Sequence, residues 1–331
     1  MLSYGSSAME AKVREALRFL LDRVPEARRL AGDEYLERGP TQVEPPRTLG
    51  ARVLEGTTLR PHRILGEPHA KFAAFLDGIQ RSRVETYLPI GTPVVCGTVS
   101  AVIRERRNRR LVTWAQLSER CLYLPLDSVP DCARFTAEFD GALVDTSQPL
   151  GDDQGPASRH PHALLERAVH FVQARRERLE QQLAERWCAL MNEPLFIDGG
   201  ISGSERIATA SCTVGVVKSH RRLYAEGDAI ETVFRLRRGE RTSVFRVESS
   251  RRTPVASWYL RLRDADGHEP MWGLVRVETA DTPGAVGRAD EISRWILAET
   301  APLSLPDARW DKMVYGIRDC EEYLRAISGH P

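Results

Sequence analysis

The chain has 331 residues, 42% hydrophobic and 28% charged, with 47 Lys and Arg against 46 Asp and Glu and a net charge of +1. Such a length can bury a sizeable core in one large domain or two ordinary ones, and the composition is that of a soluble globular protein. No apolar stretch approaches membrane-spanning length and the start does not read as a signal peptide, which points to a cytoplasmic protein without a membrane partner. The six cysteines (Cys96, Cys121, Cys132, Cys188, Cys212 and Cys320) contain no C-x-x-C pair and no regular spacing. That argues against a zinc site or a disulfide framework, and for reduced thiols.

Residues 8–37 carry apolar residues at helical spacing, with Pro25 marking a break, and Pro40 to Pro46 reads as a linker. The expectation is an N-terminal helical extension over 1–46 followed by a main domain over 47–331. Lys71-Phe-Ala-Ala-Phe-Leu-Asp77-Gly78 is an apolar strand expected to end on Asp-Gly. Thr92–Arg104 and Arg109–Trp114 are rich in β-branched residues and pair as a hairpin about a turn at Arg107-Asn108. Arg134–Val144 suggests another strand pair, and Gln148–His160 a polar loop. The stretch from His162 to Met191 is one long amphipathic helix, with Leu165, Val169, Val172, Leu179, Leu183 and Trp187 sharing a broad face.

After that helix the chain reads P-L-F-I-D-G-G-I-S-G-S over Pro194–Ser204, a second apolar strand ending on Asp198 and two glycines. Three large apolar residues in a row suit a strand end buried on both faces, and glycines let backbone or ligand approach closely. A carboxylate there is held rigidly at the edge where α/β sheets keep their sites, although a purely structural turn reads the same way. Strands follow at Ser211–Lys218, Thr242–Val247, Ala256–Arg263 and Met271–Glu278, with a short helix at Asp228–Leu236. Helices near Ala289–Thr300 and Asp307–Ile327 close the chain.

Strand, Asp, hairpin, long helix and a further strand ending in Asp is the order of a ribonuclease-H-like α/β fold, a mixed sheet flanked by helices. Phosphodiester hydrolysis uses divalent ions bridged by carboxylates on rigid elements, and two strand-end aspartates with a helix glutamate supply hard oxygen ligands. The pairing of A-A-F-L-D-G (73–78) with L-F-I-D-G-G (195–200), followed by V-G-V-V-K-S-H (214–220), resembles the NurA nucleases. Arg241–Phe245, Ser257–Leu262 and the V-R-V-E ending at Glu278 fit the same pattern, so that the resemblance covers roughly residues 70–328.

The resemblance implies Mn²⁺- or Mg²⁺-dependent DNA cleavage, a homodimer, and partnership with a HerA-type hexameric ATPase that translocates DNA. It implies Asp77 and Asp198 as catalytic metal ligands, Glu180 on the long helix as the third ligand with Glu185 as the alternative, and Lys218 as a cation near phosphate. Should neither glutamate face the site, Glu177 and Glu193 are next in line. The chain departs from the family in having no histidine where the C-terminal helical region supplies one, and Asp311 is the candidate replacement ligand. A site impaired by that loss would leave a subunit that binds DNA and the translocase as a scaffold. A third possibility is an α/β scaffold in which both Asp-Gly pairs are only turns.

Arginines cluster at 104–110, 221–222, 235–241 and 251–252. Brought onto one side they would form a sequence-independent phosphate channel, with Arg107, Arg109, Arg110, Arg221 and Arg222 as its expected DNA contacts. The alternative is that they are scattered and paired with the chain's acidic residues.

Overall fold

A computed structural model describes residues 6–24, 26–29, 45–148, 158–249, 252–300 and 312–327. In chain order the elements are α1 (Ser6–Arg23), β1 (Arg28–Arg29), β2 (Arg47–Thr48), β3 (Arg52–Val53), β4 (Pro61–Arg63), β5 (Ala74–Leu88), β6 (Thr92–Arg107), β7 (Arg110–Leu124), α2 (Cys132–Glu138), β8 (Leu143–Asp145) and α3 (Pro161–Leu190). They continue with β9 (Leu195–Asp198), α4 (Glu205–Ala208), β10 (Thr213–Val217), β11 (Arg222–Leu223), α5 (Asp228–Phe234), β12 (Glu240–Thr242), β13 (Phe245–Ser249), β14 (Arg252–Arg261), β15 (Leu274–Ala280), α6 (Ala285–Glu299) and α7 (Tyr315–Ile327). The fold is mixed α/β, with parallel and antiparallel strands in one sheet and helices packed on it. No helix among the described residues is long and apolar enough to cross a membrane.

The chain divides into two compact units, one of Met1–Val43, Gly78–Ala101 and Leu117–Leu179, the other of Glu44–Asp77, Val102–Gln116 and Glu180–Pro331. In the first, α1 buries Val13, Ala16, Leu17 and Leu20, one helical stripe, against Leu88, Val94, Leu122, Phe135 and Phe139. The N-terminal helix is therefore part of a core. Residues 134–144 are not the expected strand pair. Phe135 and Phe139 are four apart and recur at helical period, so α2 forms and sets both rings against Phe19, at 5.3 and 5.5 Å.

In the second unit the strand order runs β3-β13-β14-β15-β10-β9, followed by the parts of β5, β6 and β7 that belong to it. Strand β9 is parallel to both β5 and β10, whereas β10 meets β15 antiparallel and β15 meets β14 antiparallel. The hairpin from β6 to β7 turns on Asn108 and Arg109, both at positive φ (49° and 63°), the two-residue geometry that matches strand twist. Helices α6 and α7 cover one face of this sheet. The Trp258 indole donates to Ser293 Oγ at 3.0 Å, Trp295 meets Phe72 edge-on at 5.8 Å, and the Cys320 thiol donates to the Phe75 carbonyl at 3.4 Å. Gly316 lets α7 lie directly on the sheet, because a Cβ there would fall 2.2 Å from the Phe75 ring.

Candidate active site

Leu76 of β5 is the register partner of Ile197 of β9, and the two strands are parallel. The next residue on each strand is Asp77 and Asp198. They therefore lie side by side, about 4.8 Å apart in the pairing direction, and project to the same sheet face. Phe75 and Phe196, two residues earlier on each strand, share that face and touch at 5.9 Å. This is the face that α7 covers, and Asp77 is 7% exposed. Its charge adds to burial in pushing the neighbouring Cys320 thiol well above the usual range.

Asp77 does not end its strand as expected. Strand β5 runs on through Gly78 to Leu88. Asp198, by contrast, is the last residue of β9. Gly199 then takes φ 128°, a region that disfavours side chains, and Gly200 passes within reach of Glu278, whose Oε2 would stand 3.0 Å from a Cβ there. The turning chain crosses to the opposite face. Gly215 of β10 pairs with Ile197, and a Cβ at Gly215 would sit 2.7 Å from the Gly199 carbonyl oxygen and 2.9 Å from Ile201. Glu278, 2% exposed, fixes the loop by accepting the Ile201 amide at 2.8 Å and pairing with Arg276 at 2.8 Å. In the sequence Glu278 reads as a strand end and as the last residue of the V-R-V-E stretch; the glycines at 199, 200 and 215 are the signal of its crowded surroundings.

Lys218 follows the end of β10. Val216 is the register partner of Asp198, so Lys218, two residues on, shares its side of the sheet. Its ammonium donates to Asp198 Oδ2 at 2.8 Å, with both side chains largely buried. Two residues later His220, 8% exposed, donates Nε2–H to the Leu274 carbonyl at 2.8 Å. Burial, with the charges of Lys312, Arg276 and Arg261, pulls its pKa down to about 4, so it stays neutral. In the sequence His220 appears only as the last residue of the V-G-V-V-K-S-H stretch.

Glu180 lies half-buried on α3. Glu185, its alternative, accepts a hydrogen bond from Ser204 Oγ at 2.6 Å. Glu177 is held by Gln173 at 3.0 Å, and Glu193 is exposed, its carbonyl capping the Trp187 indole at 2.8 Å. Among the described residues no three His, Cys, Asp or Glu side chains are grouped so as to hold a metal ion. Asp311 lies outside the described residues. The donor chemistry of Asp77 and Asp198 nevertheless suits one Mg²⁺ or Mn²⁺, ions commonly held by one or two carboxylates with water and phosphate completing the shell.

Most of the clustered arginines have acidic partners. Arg104 pairs with Asp319 at 2.6 Å and Arg106 holds Glu299 with two bonds, of 2.9 and 2.7 Å. Arg241, 4% exposed, grips Glu55 at 2.6 Å and Asp290 at 2.5 Å, which removes it from any phosphate channel. Arg235 pairs with Glu231 and Arg237 with Asp266. Arg107 is exposed and bound to Glu105 at 2.7 Å, while Arg109 and Arg110 project at the hairpin tip with no ion pair among the described residues. Arg221 is exposed and Arg222 half-buried beside the short β11–β2 pairing. Arg251 lies outside the described residues.

No protein-family model matches the chain, and no curated protein matches it. Among solved structures it is similar to the NurA nuclease from Sulfolobus solfataricus, at 10% identity and a TM-score of 0.42, covering 98% of this chain and 92% of that one. It is also similar to the catalytic domain of human endonuclease V, at 17% identity and a TM-score of 0.33, covering 98% and 99%.

Proposed function

We propose that the chain is a metal-dependent nuclease that hydrolyses phosphodiester bonds in DNA, with Asp77 and Asp198 as the carboxylates that hold the ion. The observation that carries this reading is their placement in register on adjacent parallel strands. It is supported by the strand order β7-β6-β5-β9-β10, third-second-first-fourth-fifth in this part of the chain, which is the ribonuclease-H-like order. When bound, Mn²⁺ or Mg²⁺ supplies Lewis-acid polarisation of a phosphoryl oxygen. The chain's own groups do the rest. The sheet fixes both carboxylates, α7 and the aromatic residues beneath keep water from one side, and Lys218 balances the charge of Asp198 and offers a cation to a phosphate. Glu180 and Asp311 are the residues from which a further ligand would come.

Exposed Arg107, Arg109 and Arg110 form a phosphate contact at the hairpin tip, and Arg221 and Arg222 a second. Partnership with a HerA-type hexameric ATPase and assembly as a homodimer rest on the motif order of residues 70–328, and DNA end processing, repair or defence against foreign DNA is the corresponding role.

A second reading has one observation in its favour. Lys218 already neutralises Asp198, and the described residues assemble no third ligand. A weakened subunit that binds DNA and the translocase without cutting would have that arrangement. The two are separated by assaying the purified chain on linear DNA with Mn²⁺, alone and with a candidate translocase, beside Asp77→Asn and Asp198→Asn. The nuclease reading expects cleavage that chelator abolishes and that each variant lowers by about 100-fold or more, the scale of a lost electrostatic contact to the transition state. Binding without cleavage establishes the second reading, and cleavage unaffected by either substitution removes the aspartates from the site.

A further inference from the structure

Cys188 and Cys212 are 24 residues apart in sequence, yet their sulfurs lie 3.8 Å apart in a thiol hydrogen bond. Cys188 is near the end of α3 and half-buried; Cys212 immediately precedes β10 and is buried. The backbone of Cys212 is anchored, its carbonyl accepting the Leu195 amide at 2.8 Å. Beside it, the Arg288 guanidinium donates to the Ser211 carbonyl at 3.1 Å.

The pair is electronically uneven. The hydrogen bond shared with Cys188 holds the Cys212 thiol below the usual range, with the Arg288 charge acting in the same direction and burial opposing it. The same hydrogen bond, together with burial, pushes Cys188 up. Cys96, Cys121 and Cys320 are all pushed up by burial. Cys212 thus unites thiolate character with a second thiol at contact distance, the arrangement of an attacking and a resolving cysteine.

We propose that Cys188 and Cys212 form a thiol oxidation site that reacts with peroxides and closes an intramolecular disulfide around the segment bearing Asp198. The Cys212 thiolate attacks one oxygen of hydrogen peroxide. The O–O bond breaks, leaving a sulfenic acid on Cys212 and hydroxide, which takes up a proton to become water. The Cys188 sulfur then attacks the sulfenic sulfur. The S–O bond breaks as the S–S bond forms, and the oxygen departs as a second water with the Cys188 proton. Two thiols lose two electrons and the peroxide gains them. A disulfide needs the sulfurs at about 2.05 Å, a closure that side-chain rotation on two fixed elements must supply. The bridge would join α3 to the start of β10 and enclose β9 and α4. It stabilises chiefly by restricting the unfolded chain.

The test uses the reduced full-length chain, exposed briefly to hydrogen peroxide. Remaining thiols are capped with N-ethylmaleimide under denaturing conditions, and peptides are mapped without reduction. The expected result is a Cys188–Cys212 peptide as the first disulfide formed, reversible by dithiothreitol. The oxidised chain should melt several degrees higher than the reduced one, a shift absent in Cys188→Ser. In Cys188→Ser, which leaves the attacking thiol in place, dimedone should capture a sulfenic acid on Cys212. Recovery of both cysteines as capped thiols after peroxide would overturn the proposal. So would a bridge that forms no faster than pairings involving Cys132.

Discussion

At Asp198 the chain leaves the sheet, whereas at Asp77 it stays in it, although both aspartates follow an apolar run and precede glycine. Strand β9 stops at Asp198 because the chain has somewhere to go. Gly199 adopts φ 128°, Gly200 passes Glu278, and Gly215 on the neighbouring strand leaves a gap for the returning backbone. Strand β5 instead continues ten residues beyond Gly78, ending at Leu88. The consequence for the two carboxylates is equally uneven. Asp198 is held by Lys218 at 2.8 Å, while Asp77 is covered by α7. An Asp-Gly pair therefore permits a turn, and space on the adjacent strand decides whether one forms.

If that space is what lets β9 end, filling it should cost more than any other small change nearby. Gly215→Ala places a methyl 2.7 Å from a backbone oxygen that cannot swing away, and should destabilise the chain by about 3 kcal/mol, the upper part of the overpacking range, as read by urea unfolding. A loss below about 0.5 kcal/mol would show that the loop is not wedged there.

The Asp198 side also carries His220, which makes its contribution dependent on acid. Its folded pKa of about 4 is below the ordinary 6.5, so the unfolded chain binds the proton more readily in between. Stability from the buried neutral ring is present above pH 6.5 and drains away as pH falls toward 4. Replacing His220 by Asn should reduce the loss of unfolding free energy between pH 7 and pH 4.5 by about 2 kcal/mol. Equal pH dependence in the two proteins would exclude His220 as the cause.

Gly199→Ala asks about conformation alone, since open space surrounds the position. A side chain at φ 128° should cost about 1–2 kcal/mol in the same unfolding measurement. The smallest effect concerns charge. Lys218→Met removes the cation competing for Asp198, and Mn²⁺ affinity, followed by electron paramagnetic resonance, should rise severalfold, about 1 kcal/mol for a partly exposed pair. Weaker Mn²⁺ binding would mean that Lys218 supports the site rather than competing for it.

Much of this architecture is legible in the order of residues. The long helix over α3, the hairpin of β6 and β7, and the strands at β9 and β10 follow from hydrophobic period and turn chemistry. The same apolar runs draw attention to Asp77 and Asp198, which the register of β5 and β9 sets side by side. Other features have no local signal. Phe135 and Phe139 fit a helix, but residues 134–144 also alternate well enough to suggest strands, and only Phe19, more than a hundred residues earlier, decides between them. The fate of the arginines depends on acidic partners remote in sequence. Arg241 meets Glu55 and Asp290, and Arg106 meets Glu299, pairings that local spacing does not encode. Lys218 reads as a phosphate contact, and its approach to Asp198 follows from register between strands, which composition does not reveal.

In the proposed site Asp77 and Asp198 act together on one ion. Isothermal titration of Mn²⁺ into the reduced chain, Asp77→Asn and Asp198→Asn tests it without depending on cleavage. One Mn²⁺ should bind to the unchanged chain, with at least about a tenfold weakening in either variant, since each removes one of two carboxylate ligands. Equal binding by all three proteins, or none by the unchanged chain, would contradict it.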